Sequence, residues 1–150
     1  MRECHTARCI ARPIAVVFDL IADIESYPRF VPGWREAHTI ERLDGRELVS
    51  QSVSLAGIRV EFTSTALIDR PHRLEIRSDT PPFRLFRLLW TLAPHGDAET
   101  IVRAQMNLAF QTSVLDKLAD RLMPKVLERT IEAFTRQAAH PPLIAKSPAG

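Results

Sequence analysis

Asp23-Ile-Glu-Ser-Tyr-Pro-Arg-Phe-Val-Pro-Gly-Trp34 is where the chain changes from one kind of structure to another. Apolar residues recur at helical spacing before it and at every second position after it. Pro28 and Pro32 bracket Arg29, Phe30 and Val31. A residue that precedes proline is steered away from helical dihedrals, so Tyr27 and Val31 are both expected to be extended. The stretch carries Tyr27, Phe30, Val31 and Trp34. That much apolar surface on a connector points to a segment packed over a core or over a ligand.

Upstream, residues 2–10 lack helical periodicity and read as a first strand. Pro13 suits the first turn of a helix, where its missing N–H costs nothing. Ile14, Val17, Phe18 and Ile21 continue that helix. Asp23 ends it or caps a second short helix that reaches Phe30. Downstream, residues 34–43 and 46–55 read as strands joined at Asp44-Gly45, a strong hairpin signal. Ile58, Val60, Phe62, Ser64, Ala66 and Ile68 then share one face of a strand, and Arg59, Glu61, Thr63, Thr65 and Asp69 the other. Three more segments alternate in the same way: 73–77, 83–92 and 102–110. Arg70-Pro71, Thr80-Pro81-Pro82 and Pro94-His95-Gly96-Asp97 separate them.

Ser113 and Asp116 resemble a capping box at the start of a helix running to about Ala138. Leu115, Leu118, Leu122, Val126, Thr130, Ala133 and Phe134 form its expected apolar stripe. Pro124 interrupts it, as a kink or as the start of a second segment. The proline-containing segment 139–150 is expected to be a disordered tail, which leaves one domain over residues 1–138. The fold class is α+β. Seven antiparallel strands form a curved sheet around one long C-terminal helix, with two short helices after the first strand. One helix cannot fill so wide a concavity, so a hydrophobic cavity is expected between sheet and helix, with few polar groups.

A net charge of +2 creates no strong field for nucleic acid, and no DNA partner is expected. The two cysteines, Cys4 and Cys9, fall on opposite faces of one strand and cannot bridge within the chain. The apolar run 14–24 is too short to span a membrane and contains Asp19 and Asp23. It has no small-residue cleavage site, so no signal peptide is expected. The expectation is a cytoplasmic protein, with peripheral contact to the inner membrane as a compatible location. The five histidines show no metal-ligand spacing. No nucleophile elbow, phosphate loop or dinucleotide fingerprint is present in the sequence. Arg70, Arg73, Arg77, Arg84 and Arg87 form a loose basic cluster that reads equally as a solvated sheet face or as a contact for anionic lipid or RNA.

Three blocks of sequence resemble the helix-grip START and polyketide-cyclase superfamily. The first is Val17-Phe18 through Asp23, followed by Ser26 to Trp34. The second is Pro82-Phe83 with Trp90 and Pro94. The third is Ile131-Glu132-Ala133-Phe134. Within that superfamily they are most similar to the branch of coenzyme Q-binding proteins and the bacterial ribosome-association toxin. Pro81 and Leu89 stand where that branch usually has glycine. The resemblance implies a binder or chaperone of a polyprenyl quinone in support of respiration, not a catalyst. No cofactor is expected beyond a bound quinone or other lipid. A ribosome-interacting regulator of translation is the first alternative, and a polyketide aromatase or cyclase the second. Candidate ligand contacts are Phe30, Val31, Pro32 and Trp34 at the mouth. Gln51, Phe62, Ser64, Phe83, Trp90 and Met106 follow on the sheet, and Leu122, Val126 and Thr130 on the helix. An isoprenoid tail would lie along Leu122, Val126 and the inward face of residues 58–68, with Gln51 and Ser64 serving its headgroup.

Overall fold

Every period-two segment becomes a strand. The computed structural model describes residues 2–55 and 57–139. Strand β1 (Arg2–Ile10) leads into helix α1 (Ile14–Ala22), a 3₁₀ turn (Ile24–Ser26) and a one-turn helix α2 (Tyr27–Phe30). Strands β2 (Trp34–Leu43), β3 (Arg46–Leu55), β4 (Ile58–Asp69), β5 (Arg73–Ser78), β6 (Phe83–Pro94) and β7 (Thr100–Phe110) follow, and helix α3 (Ser113–Ala139) ends the described chain. The seven strands form one antiparallel sheet in the order β1-β7-β6-β5-β4-β3-β2. Helix α3 lies mainly over β1 and β7, while α1 packs on β6 and α2 on β2. The helix-grip architecture read from the sequence is thus the observed one. Of the tail expected over 139–150, Ala139 is still helical, and the rest lies outside the described residues. No helix among the described residues is long and apolar enough to cross a membrane.

The strand register follows the alternation. Val60, Phe62, Ser64 and Ala66 are buried on the inner face, and Glu61 is exposed on the outer one. Ile58 departs from the expected inward set because it lies beside the turn into β4, and it is 42% exposed. Glu75 alternates outward as expected but is only 6% exposed. Arg73, Arg77 and Arg87 fold over it: Arg77 Nε lies 3.2 Å and Arg73 Nη2 3.4 Å away, and Arg87 donates to the same carboxylate. Burial pushes this carboxyl up, but the charges and hydrogen bond of the three guanidiniums win and hold it below its ordinary value. Arg70 pairs with Asp19 at 2.5 Å while stacking over Phe18. Four of the five arginines of the basic cluster are thus tied to a carboxylate, three of them to the same one.

Three local expectations change. Tyr27 is helical (φ −53°, ψ −41°), and Pro28 sits within the first turn of α2. In the first turn of a helix the N–H that proline lacks has no intrahelical partner to lose. Val31 before Pro32 is extended as expected. Thr112, not Ser113, caps α3: its Oγ1 accepts from the Leu115 N–H at 3.3 Å. Asp116 instead accepts from the Phe110 N–H at 3.0 Å and ties the helix start to the end of β7. The third change is rotational. In the first half of α3 the buried row is Ala119, Met123 and Leu127, one residue on from Leu118, Leu122 and Val126, which are half-buried, while the expected Thr130, Ala133 and Phe134 are buried together with Ile131 and Ala138. Pro124 lies exposed inside a continuous helix and does not divide it.

Candidate functional site: an open groove and its inner void

The Tyr27–Trp34 segment is fixed first at its base. Tyr27 is fully buried, and its hydroxyl donates to the Ile21 carbonyl. Burial, helped by the charge of Asp23, pushes the phenol far above its ordinary value, so it remains a neutral donor. Its ring meets Trp34, Phe30 and Phe134 edge-on at centroid distances of 5.6, 6.3 and 5.1 Å. Trp90 closes the same cluster at 5.0 Å from Phe134. Such edge-to-face packing is the favoured aromatic geometry and locks this end shut.

Beyond Phe30, which still meets Phe134 of α3 at 5.1 Å, the segment lifts away from the helix. Gly33 makes the turn at φ +87°, where a side chain would be strained. A Cβ there would also lie 3.2 Å from the Ser54 carbonyl. The bare backbone lets Ser54 N–H donate to the Gly33 carbonyl at 2.7 Å, which joins the turn to the end of β3. Trp34 is then held by its indole Nε1, which donates to Gln51 Oε1 at 2.7 Å, and Gln51 Nε2 donates to Ser64 Oγ at 2.5 Å.

Between this segment and α3 runs an open groove of about 740 Å³. Phe30, Val31, Pro32, Trp34 and Leu55 form one wall, and Leu122 and Val126 the other. A smaller, mainly apolar void of about 100 Å³ continues inward past Pro32, Trp34 and Val126 to Phe62, Phe83, Phe86, Met106 and Phe110. The wide cavity expected from the shortage of covering helix is thus small inside and open outside. The physical reason is the phenylalanine cluster. Phe62, Phe83, Phe86 and Phe110 stack at centroid distances of 4.9–5.5 Å and occupy most of the concavity that α3 leaves uncovered.

The rim is cationic. Arg29, Arg35, Lys125 and Arg129 line the groove, and no carboxylate does. Among the described residues none of these four has a carboxylate within ion-pairing distance. By contrast Arg8, next to the same helix, binds Glu128 at 2.7 Å.

Of the candidate contacts, Phe30, Val31, Pro32, Trp34, Leu122 and Val126 meet in the groove, and Phe62, Phe83 and Met106 reach the inner void. Gln51 and Ser64 are buried but bonded to each other and to Trp34, so neither points a free polar group at the void. Trp90 is wholly buried against Phe134, with its indole N–H unpartnered. Thr130 is buried and donates to the Val126 carbonyl one turn back. Neither of these lines the groove or the void. The sequence reading missed the four cations, Leu55 and Phe86. Lys125 and Arg129 carried a signal, a four-residue spacing beside Leu122 and Val126. Arg29 and Arg35 flank the quoted stretch, but nothing in the sequence says they face α3.

Residues 10–135 match the family described as polyketide cyclase / dehydrase and lipid transport. The ribosome association toxin RatA of Vibrio cholerae is 22% identical over 138 residues, covering 92% of this chain and 96% of that protein. An aromatase/cyclase from Streptomyces sp. R1128 superimposes with a TM-score of 0.83 at 15% identity, covering 91% of this chain and 93% of that one. A STAR-related lipid transfer protein from Xanthomonas axonopodis does so with a TM-score of 0.81 at 14% identity, covering 93% and 87%. At such identities these two structures speak for the fold alone. With the helix-grip sheet, the buried aromatic base and a match over most of its length, the chain belongs to the polyketide cyclase / dehydrase and lipid transport family.

Proposed function

We propose that the protein binds a lipophilic small molecule in the groove between the Tyr27–Trp34 segment and α3, with its apolar end in the inner void. The observation that carries this reading is the continuity of the two spaces through Pro32, Trp34 and Val126. Half-buried Leu122 and Val126 gain from being covered, at roughly 25 cal/mol per Å² of apolar surface removed from water. The family's description as lipid transport supports the same reading. A polyprenyl quinone is the finer form of the proposal. Its tail would lie along Leu122, Val126 and Phe62, and its ring at the groove, where its carbonyl oxygens could accept from the cationic rim. Buried Gln51, Ser64 and Thr130 are spent on internal hydrogen bonds, which gives an aromatase or cyclase reading little support.

Native mass spectrometry of protein purified from a quinone-producing host, followed by uptake of quinone from detergent, tests the proposal. A co-purifying quinone is the expected result. Another lipid in its place keeps the coarser reading and removes the quinone. Protein that is folded yet takes up no lipophilic molecule overturns both.

A second reading rests on a different observation. Lys117, Arg121, Lys125 and Arg129 are exposed at four-residue intervals along α3, and the curated relatives include ribosome association toxins. Such a row can follow a phosphate backbone. Co-sedimentation with ribosomes, weakened by salt, is its test.

A further inference from the structure

We infer that the groove takes a lipophilic molecule with an anionic head, a carboxylate or a phosphate, and that Arg29, Arg35, Lys125 and Arg129 hold that head. The inference deepens the lipophilic-ligand reading and rests on it. Four cations converge on the groove from α2, from the start of β2 and from α3. Keeping like charges together without counter-ions is unfavourable, and several arginines elsewhere in the protein have carboxylates beside them. Arg73, Arg77 and Arg87 share Glu75, Arg59 bridges Glu36 and Glu61, and Arg42 pairs with Glu25 and Glu47. At the groove no such carboxylate lines the wall. An anion from outside would relieve the repulsion, and a neutral ring would not.

The apolar half of the ligand is set by the inner void. About 100 Å³ takes roughly three water-sized groups of about 30 Å³ each, so only the end of a chain passes Val126. The rest of the chain lies in the groove against Leu122, Phe30 and Pro32, which leaves its head among the cations. Arginine suits this task because its planar fork meets carboxylate and phosphate bidentately, and its long stem can lie along apolar surface.

The experiment measures binding of dodecanoate, dodecyl phosphate and dodecanol by calorimetry. The chain is constant across the three, so only the head varies. Wild-type protein should bind at least one anion about tenfold or more tighter than the alcohol, a difference of about 1.4 kcal/mol. That preference should shrink as salt rises. Whichever anion is tighter tells a carboxylate lipid from a phosphate lipid. Lys125→Gln with Arg129→Gln should remove most of the preference, read as the ratio of anion to dodecanol affinity within the same variant. Lys117→Gln with Arg121→Gln makes the same change in net charge on residues that do not line the groove, and should leave the preference intact.

Equal affinity for anions and alcohol overturns the inference while leaving the lipophilic reading in place. Loss of preference in both double variants alike overturns the local site in favour of a general field. If none of the three binds, the lipophilic reading itself fails. If an RNA oligonucleotide binds through Lys125 and Arg129 while the anions gain nothing over the alcohol, the cations serve nucleic acid and the inference falls.

Discussion

Helix α3 is two different objects along one axis. From Leu127 onward its inner side is sealed: Leu127, Ile131 and Phe134 are 0–1% exposed. The Ala138 carbonyl accepts from Arg12 Nε at 2.8 Å, and Glu128 is held by Thr6 and Arg8. From Val114 to Val126 the same helix shows apolar residues to the groove or to solvent. Leu118, Leu122 and Val126 are half-buried and Val114 is 75% exposed. The difference lies in what stands opposite. The sealed half meets the Tyr27–Trp90 aromatic cluster, and the open half meets a segment that Gly33 and Pro32 turn away from the helix. An apolar arc wider than its core contact is what a binding helix needs, and in the first half of α3 the buried row of Ala119 and Met123 lies beside the half-buried row of Leu118, Leu122 and Val126.

The sharpest way to break this comparison is to truncate one side chain in each half. Phe134→Ala removes a ring packed against Tyr27, Phe30 and Trp90, and should cost about 3–5 kcal/mol. For a chain this size that lowers the thermal midpoint by roughly 6–20 °C. Leu122→Ala on the open half should cost about 1 kcal/mol or less, because its side chain already faces the groove. Similar midpoints for the two variants would show that the open half is as tightly packed as the sealed one.

A smaller step crosses the boundary between adjacent residues. Leu127→Arg puts an unpaired charge where exposure is 1%, at a cost comparable with the stability of the domain. Val126→Arg points into the groove, where the arginine stem can lie along Leu122 and its head can reach water. The first should yield insoluble protein. The second should stay within about 1 kcal/mol of wild type by chemical denaturation and lose lipophilic uptake. Val126→Arg protein that is folded and binds as before would remove Val126 from the site.

The strands and their register were legible in the sequence, because a period of two leaves a residue only two faces to occupy. Phe62 and Ser64 went inward and Glu61 outward as read. The helix was less legible. Leu118, Leu122 and Val126 are larger or more apolar than neighbouring Ala119, so they looked like the core stripe. Both rows repeat every four residues and lie about 100° apart on the helix, and periodicity cannot say which edge of a broad apolar arc meets the sheet. The cationic rim was illegible for a different reason. Arg29 and Arg35 line the same groove as Lys125 and Arg129 although some ninety residues separate them in the chain, and no spacing along the chain encodes that meeting.

The weakest expected effect sits at the junction between the halves. Glu128 accepts from Thr6 Oγ1 and from Arg8 Nη2, across from edge strand β1, and Arg8 also lies 3.7 Å from Glu132. The hydrogen bond from Thr6, then that from Arg8, holds the Glu128 carboxyl below its ordinary value. A carboxyl with a lowered folded-state pKa adds stability above its unfolded pKa. That stability fades as pH falls through the unfolded value, and it is gone below the folded one. Glu128→Gln should therefore lower the thermal midpoint slightly at neutral pH, and the gap should shrink as the buffer is taken below the ordinary glutamate range. The effect is small because the carboxylate is 47% exposed and water screens the pair. A gap that persists unchanged in acid would mean that α3 is held to β1 by the shape of the side chain and not by its charge. The sealed half would then owe its closure to packing alone.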